Sequence, residues 1–419
     1  MNKRDFLRRA AIVGVGTSPI YKHLEELNST VQDLSPEEVA KDEYFWSQIR
    51  AGYRIKPDYI NLENGYYCIT PQEVLENYIH HIRNINYQGS FYMRTVQWDN
   101  KKAMQKKLGE LAGCDETELV ITRNTTESLD LIISGMHWQE GDEAVMAEQD
   151  YGAMLDQFTY VAKRYGVRNK IISVPMHPQD DEEIVNLYAS AITDKTKLLM
   201  VCHLINITGQ ILPIKKICDM AHSKGVEVLV DGAHAFGQFK FDIKELGCDY
   251  YGTSLHKWLS VPIGAGMLYV KKEKIENIWP LLAEQTDDPT DIKNLNHTGT
   301  HPCATDLAIG NALDYYWRLG PERKEARLRY LQRYWTDQVR DLPHIDLNTP
   351  SDINRSCAIA NVGIKHMTPK ALAETLLEKY RIWTVGINKA GVRGCRITPN
   401  IYTTTKELDE FVKALKEMA

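Results

Sequence analysis

An acid and an amine stand at the ends of two neighbouring apolar runs in the middle of this chain. The run VEVLV (226–230) stops on Asp231, and the run CDYYGTS (248–254) is followed by His256 and Lys257. Between them, DGAHAFG places glycines and His234 in a segment suited to pass close to a ligand. Trp258 and an apolar stretch follow Lys257. The amine is therefore expected to be partly desolvated, which lowers an amine's pKa. A carboxylate that holds a pyridine nitrogen protonated and a lysine that carries an aldehyde as a Schiff base are the two groups a pyridoxal-phosphate site needs.

Residues used in this way must be positioned by a scaffold, and the surrounding sequence has one. Apolar strand patterns at 118–122, 143–147, 170–174, 197–202 and 226–230 alternate with helical patterns at 126–135, 153–165, 181–191 and 214–224. Short connections between them imply a mainly parallel sheet covered on both faces. Gly264-Ala265-Gly266 and the run through Val270 read as a last strand, antiparallel to its neighbour. In such sheets ligands bind outside the carboxyl ends of the strands. Those ends carry Asn124-Thr125-Thr126, Asp150-Tyr151, His203 to Asn206, Asp231 with His234, and Ser254 with His256-Lys257. Thr125 and Thr126 open a helix whose N-terminus is a natural phosphate seat, with Asn124 and Glu127 spaced as a capping box. Taken singly, each has a bland reading: a capped helix, a loop-filling ring, a turn-forming amide, a structural histidine, a solvated lysine. Their joint occurrence at successive strand ends favours a site with an anion pocket, an aromatic ring, an acid and an amine.

The 419 residues suffice for two domains. The expected division is an N-terminal segment at 31–70 packing on the small domain, a large domain at 71–300 and a smaller α+β unit at 301–419. A net charge of −6 speaks against nucleic acid as the main partner, and no apolar run is long enough for a transmembrane span. Eight cysteines are scattered without paired spacing, as free thiols are. Residues 1–30 begin with basic residues before a short apolar run, and Lys3-Arg4-Asp5-Phe6-Leu7 resembles a twin-arginine export signal with lysine for the first arginine. Export to the periplasm is the favoured expectation; the competing one is an N-terminal arm on a cytoplasmic protein.

DGAH at 231–234, the segment CDYYGTSLHKW through Lys257, and GAGMLYV after it closely resemble the class V aminotransferase family, in particular its isopenicillin N epimerase-like branch. The resemblance runs from about Tyr59 to the C-terminus. It implies a fold-type I α/β architecture: a mainly parallel seven-stranded sheet flanked by helices, with a smaller α+β domain. It implies pyridoxal 5'-phosphate as cofactor, with Lys257 as its Schiff-base lysine and Asp231 at the pyridine nitrogen. Tyr151 falls at the ring-stacking position, and His234 and Asn206 fall near the ring hydroxyl. Thr125, Thr126, Ser254 and His256 match phosphate-binding positions. Thr300, in His297-Thr298-Gly299-Thr300, matches the segment that reaches the partner subunit's phosphate, which implies a homodimer. Gly394-Cys395-Arg396-Ile397-Thr398-Pro399 resembles the family's arginine strand. It makes Arg396 the binder of the substrate carboxylate, with Arg393 as competing candidate and Asn64 lining the substrate pocket.

The resemblance implies proton transfer by Lys257 at the α-carbon of an amino acid or an amino-acid-containing compound. The outcome is epimerisation, transamination or, as the alternative, C–S or C–C lysis. Cysteine desulfurases carry a nucleophilic cysteine on a mobile loop ahead of the arginine. Here Cys395 is adjacent to Arg396 and expected on its strand, which speaks against desulfurase chemistry. Two readings of other classes are weaker. A metal-dependent hydrolase built on Asp231, His234, His256 and His203 lacks the usual ligand spacing. A non-catalytic cofactor-binding sensor would carry a DNA-binding unit that the sequence does not show.

Overall fold

The computed structural model describes residues 19–282, 286–297 and 299–419, so the export motif at 3–7 lies outside the described residues. The described chain enters through helices Pro19–Ser29 and Glu43–Ala51 and a two-residue strand, β1 (Ile60–Asn61). Two long helices, Gln72–Gln88 and Gln97–Ala112, lead to the central sheet.

That sheet has seven strands: β2 (Leu119–Thr122), β3 (Glu143–Ala147), β4 (Arg168–Ile172), β5 (Thr196–Cys202), β6 (Glu227–Asp231), β7 (Tyr250–Ser254) and β8 (Gly266–Val270). Their order is β2-β8-β7-β6-β5-β3-β4, with β8 antiparallel to both neighbours and the other pairs parallel. Successive side chains of a strand leave opposite faces. Accordingly Leu198, Met200, Leu229 and Tyr250 belong to one buried cluster, while Leu199, Val201, Val228 and Tyr251 belong to another. Burial on both faces is why these strands read as continuous apolar runs. The expected strand at 170–174 ends earlier, at Ile172, because the Val174 amide bonds to the Gln149 side chain and leaves the ladder.

A second, antiparallel sheet has the order β12-β13-β10-β9: β9 (Ile345–Leu347), β10 (Ala360–Ile364), β12 (Val385–Lys389) and β13 (Val392–Ile397). Helices Pro321–Val339 and Thr405–Glu417 close its core, where Trp335 and Phe411 meet edge to face at 5.2 Å. The sequence suggested strands near Ile382 and Arg396. The structure resolves this region into β11 (Ile382–Trp383) and a β12–β13 hairpin whose turn residues, Ala390 and Gly391, both have positive φ. Helix Cys303–Leu319 packs on Gln72–Gln88 and Gln97–Ala112.

Two ties join the segment around β1 to the C-terminal unit, and a third joins that unit to a strand end of the large sheet. β1 pairs in parallel with β11. Glu63 bridges to Thr398. At the hairpin, Lys389 Nζ donates to the Asp150 carbonyl at 2.9 Å. Among the described residues no helix is long and apolar enough to cross a membrane.

Candidate active site

Lys257 lies just past β7, in a turn that Gly237 allows to pack closely. Gly237 has φ +76°, and a Cβ there would come within 2.9 Å of the Leu259 amide. The DGAHAFG segment can therefore press against the Lys257 turn, and Lys257 Nζ meets His234 Nε2 at 3.0 Å. With the amine as donor, His234 accepts at Nε2 and carries its proton on Nδ1, which is buried without a protein partner. Burial, then the charge of Lys257, holds His234 neutral well below the usual range. Burial lowers the Lys257 amine to about 8, with Asp231 pulling the other way.

Asp231 ends β6 and is buried; its Oδ1 accepts the Ala233 amide at 3.0 Å, and among the described residues its Oδ2 has only the Cys202 thiol as donor, at 3.9 Å. Burial raises its pKa and the Lys257 charge opposes the rise. A buried carboxylate with an oxygen left to a weak thiol donor fits a cationic N–H such as a protonated pyridine. Behind it, Asp150 is also buried, and desolvation pushes its carboxyl up to about 7.

The expected anion seat lies where β7 meets helix Thr125–Gly135. A Cβ at Gly252 would fall 2.7 Å from Leu129 Cδ2, so only glycine lets this helix lie so close to the strand. Ser254 Oγ then accepts the Thr125 amide at 2.8 Å and bonds the Thr125 hydroxyl at 2.7 Å. Asn124 caps the helix through the Glu127 amide at 2.9 Å. The expected capping box is only half formed, because Glu127 Oε2 accepts from the Arg123 amide instead. Thr126 is half-buried beside this N-terminus, and the His256 ring lies nearly parallel to Tyr67 at 6.4 Å. Tyr151, at the start of helix Gly152–Tyr165, is 41 % exposed.

From the other side comes Arg396, on β13. Residues three apart on a strand face oppositely: Arg396 is buried toward Lys257, whereas Arg393 is exposed. Arg396 Nη1 lies 3.4 Å from the Asn206 carbonyl, which draws the NITG turn into the group. Asn64 is buried with its amide engaged by the Thr398 carbonyl at 2.7 Å and the Tyr402 hydroxyl at 2.6 Å. Its neighbour Glu63 is the residue that meets the arginine, with Oε2 accepting from Arg396 Nε at 3.2 Å and Oε1 from Nη2 at 2.5 Å. Sequence reasoning missed Glu63. The available signal was an acid immediately before Asn64, the residue expected to line the pocket. A cavity of about 460 Å³, lined by Tyr59, Tyr66, Tyr67 and Trp383, opens on this pair. A larger cavity of about 650 Å³ shares no lining residue with it. Thr300 is exposed, and among the described residues no hydrogen bond joins it to the Lys257 group.

Cys395 lies on β13, buried, its thiol toward the Pro369 carbonyl at 3.6 Å. His203 is enclosed by Phe239, Phe241 and Tyr251, and burial takes its pKa down to about 3. Among the described residues no three His, Cys, Asp or Glu side chains form a metal-ligand group. The lysine, the buried acid on the adjacent strand and the hydroxyl-lined helix N-terminus together fit an aldehyde-bearing pyridinium phosphate.

Comparison with known proteins agrees with this geometry. Isopenicillin N epimerase of Streptomyces clavuligerus is 27 % identical over 391 residues, 88 % of this chain and 97 % of that protein. A probable cysteine desulfurase of Halalkalibacterium halodurans is 26 % identical over 319 residues, 73 % of this chain and 76 % of that protein. Among solved structures, a C-DES variant with glycine covalently linked to its PLP cofactor superposes with a TM-score of 0.78 at 21 % identity, covering 87 % of this chain and 98 % of that one. The Aminotransferase class-V family model matches residues 68–411, and the chain belongs to that family.

Proposed function

We propose that the protein is a pyridoxal-phosphate enzyme that moves a proton at the α-carbon of an amino acid or amino-acid-containing compound, ending in epimerisation or transamination. The observation that carries this reading is the pairing of a desolvated Lys257 with buried Asp231 on adjacent strand ends, opposite Arg396. When bound, the cofactor supplies an aldehyde for imine formation and an electron-withdrawing ring. Asp231 would keep the ring nitrogen protonated, Thr125, Thr126, Ser254 and His256 would take the phosphate, and Tyr151, His234 and Asn206 would hold the ring. Arg396 binds the substrate carboxylate through two parallel N–H bonds. Lys257, whose lowered pKa leaves more of the amine neutral than in an ordinary lysine, accepts and returns the α-proton.

C–S lysis is the second reading, favoured by the desulfurase relative. Against it, burial raises the Cys395 thiol to about 12 and seats it on a strand, where it is a poor nucleophile. The test is a screen of amino acids in heavy water with the holoenzyme. Deuterium uptake with racemisation and no keto acid indicates an epimerase, and keto acid formed with an amino acceptor indicates a transaminase. Sulfur release from cysteine or cystine, with alanine or with pyruvate and ammonia and no amino acceptor consumed, would replace the first reading with the second. A protein that develops no borohydride-bleachable visible absorption with pyridoxal phosphate, or keeps it in Lys257→Ala, would overturn both.

A further inference from the structure

The arginine assigned to the substrate carboxylate already holds a carboxylate from its own chain. The Glu63 and Arg396 side chains are 7 % and 8 % exposed, so the pair is buried at the inner wall of the aromatic cavity. Glu63 does not hang loosely. Its Oε1 accepts the Tyr66 amide at 3.0 Å, its own amide donates to Asn61 Oδ1 at 3.1 Å, and its backbone bridges to Thr398. The guanidinium is held equally firmly, since a Cβ at Gly65 would lie 3.0 Å from Arg396 Cζ. Glu63 takes the Nε and Nη2 edge. Among the described residues, the edge formed by Nη1 and Nη2 is engaged, beyond the Glu63 contact at Nη2, only by a 3.4 Å approach of Nη1 to the Asn206 carbonyl. A planar guanidinium can serve two carboxylates on two edges, which a lysine cannot.

We propose that Glu63 is a positioning and specificity-determining residue: it clamps Arg396 by one edge, directs the Nη1–Nη2 edge at the substrate carboxylate, and cancels the arginine's charge. This rests on Arg396 being the carboxylate binder. With the charge cancelled, a small anion gains little from the site, and a carboxylate is held well only when the rest of its molecule fills the aromatic cavity. A second carboxylate placed beside the first would face Glu63 without a partner. The substrate class is therefore an amino acid with one carboxylate at the reacting carbon and a bulky apolar or aromatic remainder.

Propionate serves as the probe, titrated calorimetrically onto the holoenzyme. Glu63→Gln keeps the shape and removes the charge, so propionate should bind about 10-fold more tightly while kcat for α-proton exchange falls about 10-fold and KM falls with it. Glu63→Asp keeps the charge and shortens the reach, so propionate affinity should stay near wild type while kcat drops. A merely structural acid would weaken or leave unchanged the binding of propionate in E63Q, and that result overturns the proposal, as does E63D binding propionate as tightly as E63Q. If Arg396→Gln alone leaves propionate binding unchanged, the assignment of Arg396 falls and the role of Glu63 with it. If R396Q weakens propionate binding and E63Q does not tighten it, the role of Glu63 alone is rejected.

Discussion

Near pH 7 an ordinary lysine is almost wholly charged and useless as a nucleophile. Burial takes Lys257 to about 8, which raises its neutral fraction roughly 300-fold over an unperturbed amine. The sign follows from the direction of the shift: the amine is protonated and inert below about 8 and free to attack above it. Capture of pyridoxal phosphate by the apoprotein, followed by visible absorption, should therefore accelerate from about pH 7 to about pH 9 with a midpoint near 8. A rate still climbing steeply past about pH 10 would mean the amine is not desolvated. His234, held neutral by burial and by Lys257 itself, keeps a hydrogen-bond acceptor on the amine throughout this range. Lys257 and Asp231 were legible in the sequence because each sits at the end of its own apolar run. Glu63 was not, because its partner lies 333 residues further along the chain and no local pattern marks such a pair.

The element proposed to seat the phosphate is a helix held against a glycine. Ser254→Ala removes the oxygen that bonds both the amide and the hydroxyl of Thr125. It should raise the Kd for pyridoxal phosphate about 10-fold while costing about 1 kcal/mol of stability. Gly252→Val should do far more, because the added methyls collide with Leu129 and lift the helix from the sheet. Equilibrium dialysis with thermal melts separates the two, and equal losses in both variants would mean that the helix N-terminus is not the seat. The alternation of strands and helices was readable because parallel strands are apolar on both faces. The β12–β13 hairpin was harder: β12 is half exposed and carries Gly386, so it shows no apolar run. Only Ala390-Gly391, a two-residue turn with positive φ, marked it.

At the scale of the molecule, Thr300 is exposed and stands apart from the Lys257 group, yet its segment leads directly into helix Cys303–Leu319. The helices on which that one packs expose Tyr87 and Trp98. Exposed aromatic residues in such a layer suit a surface covered by a second copy. A homodimer sharing Thr300 across the interface should sediment at twice the monomer mass. Lys257→Ala and Thr300→Val dimers should recover up to about a quarter of wild-type turnover when mixed and exchanged, since only one site of each hybrid is intact. No recovery from demonstrably mixed dimers would place the whole site within one chain. The order in which the chain is synthesised adds another consequence. β1 is two residues long and pairs only with β11, so Glu63 waits for nearly the entire polypeptide before Arg396 exists to meet it. The central sheet, from β2 to β8, is complete well before that. As a chain emerges from the ribosome at about 5–20 residues per second, the strand ends that carry Asp231 and Lys257 are made first and the Glu63–Arg396 pair last. Each newly made chain thus holds the proposed acid and amine before it holds the residues proposed to recognise a substrate.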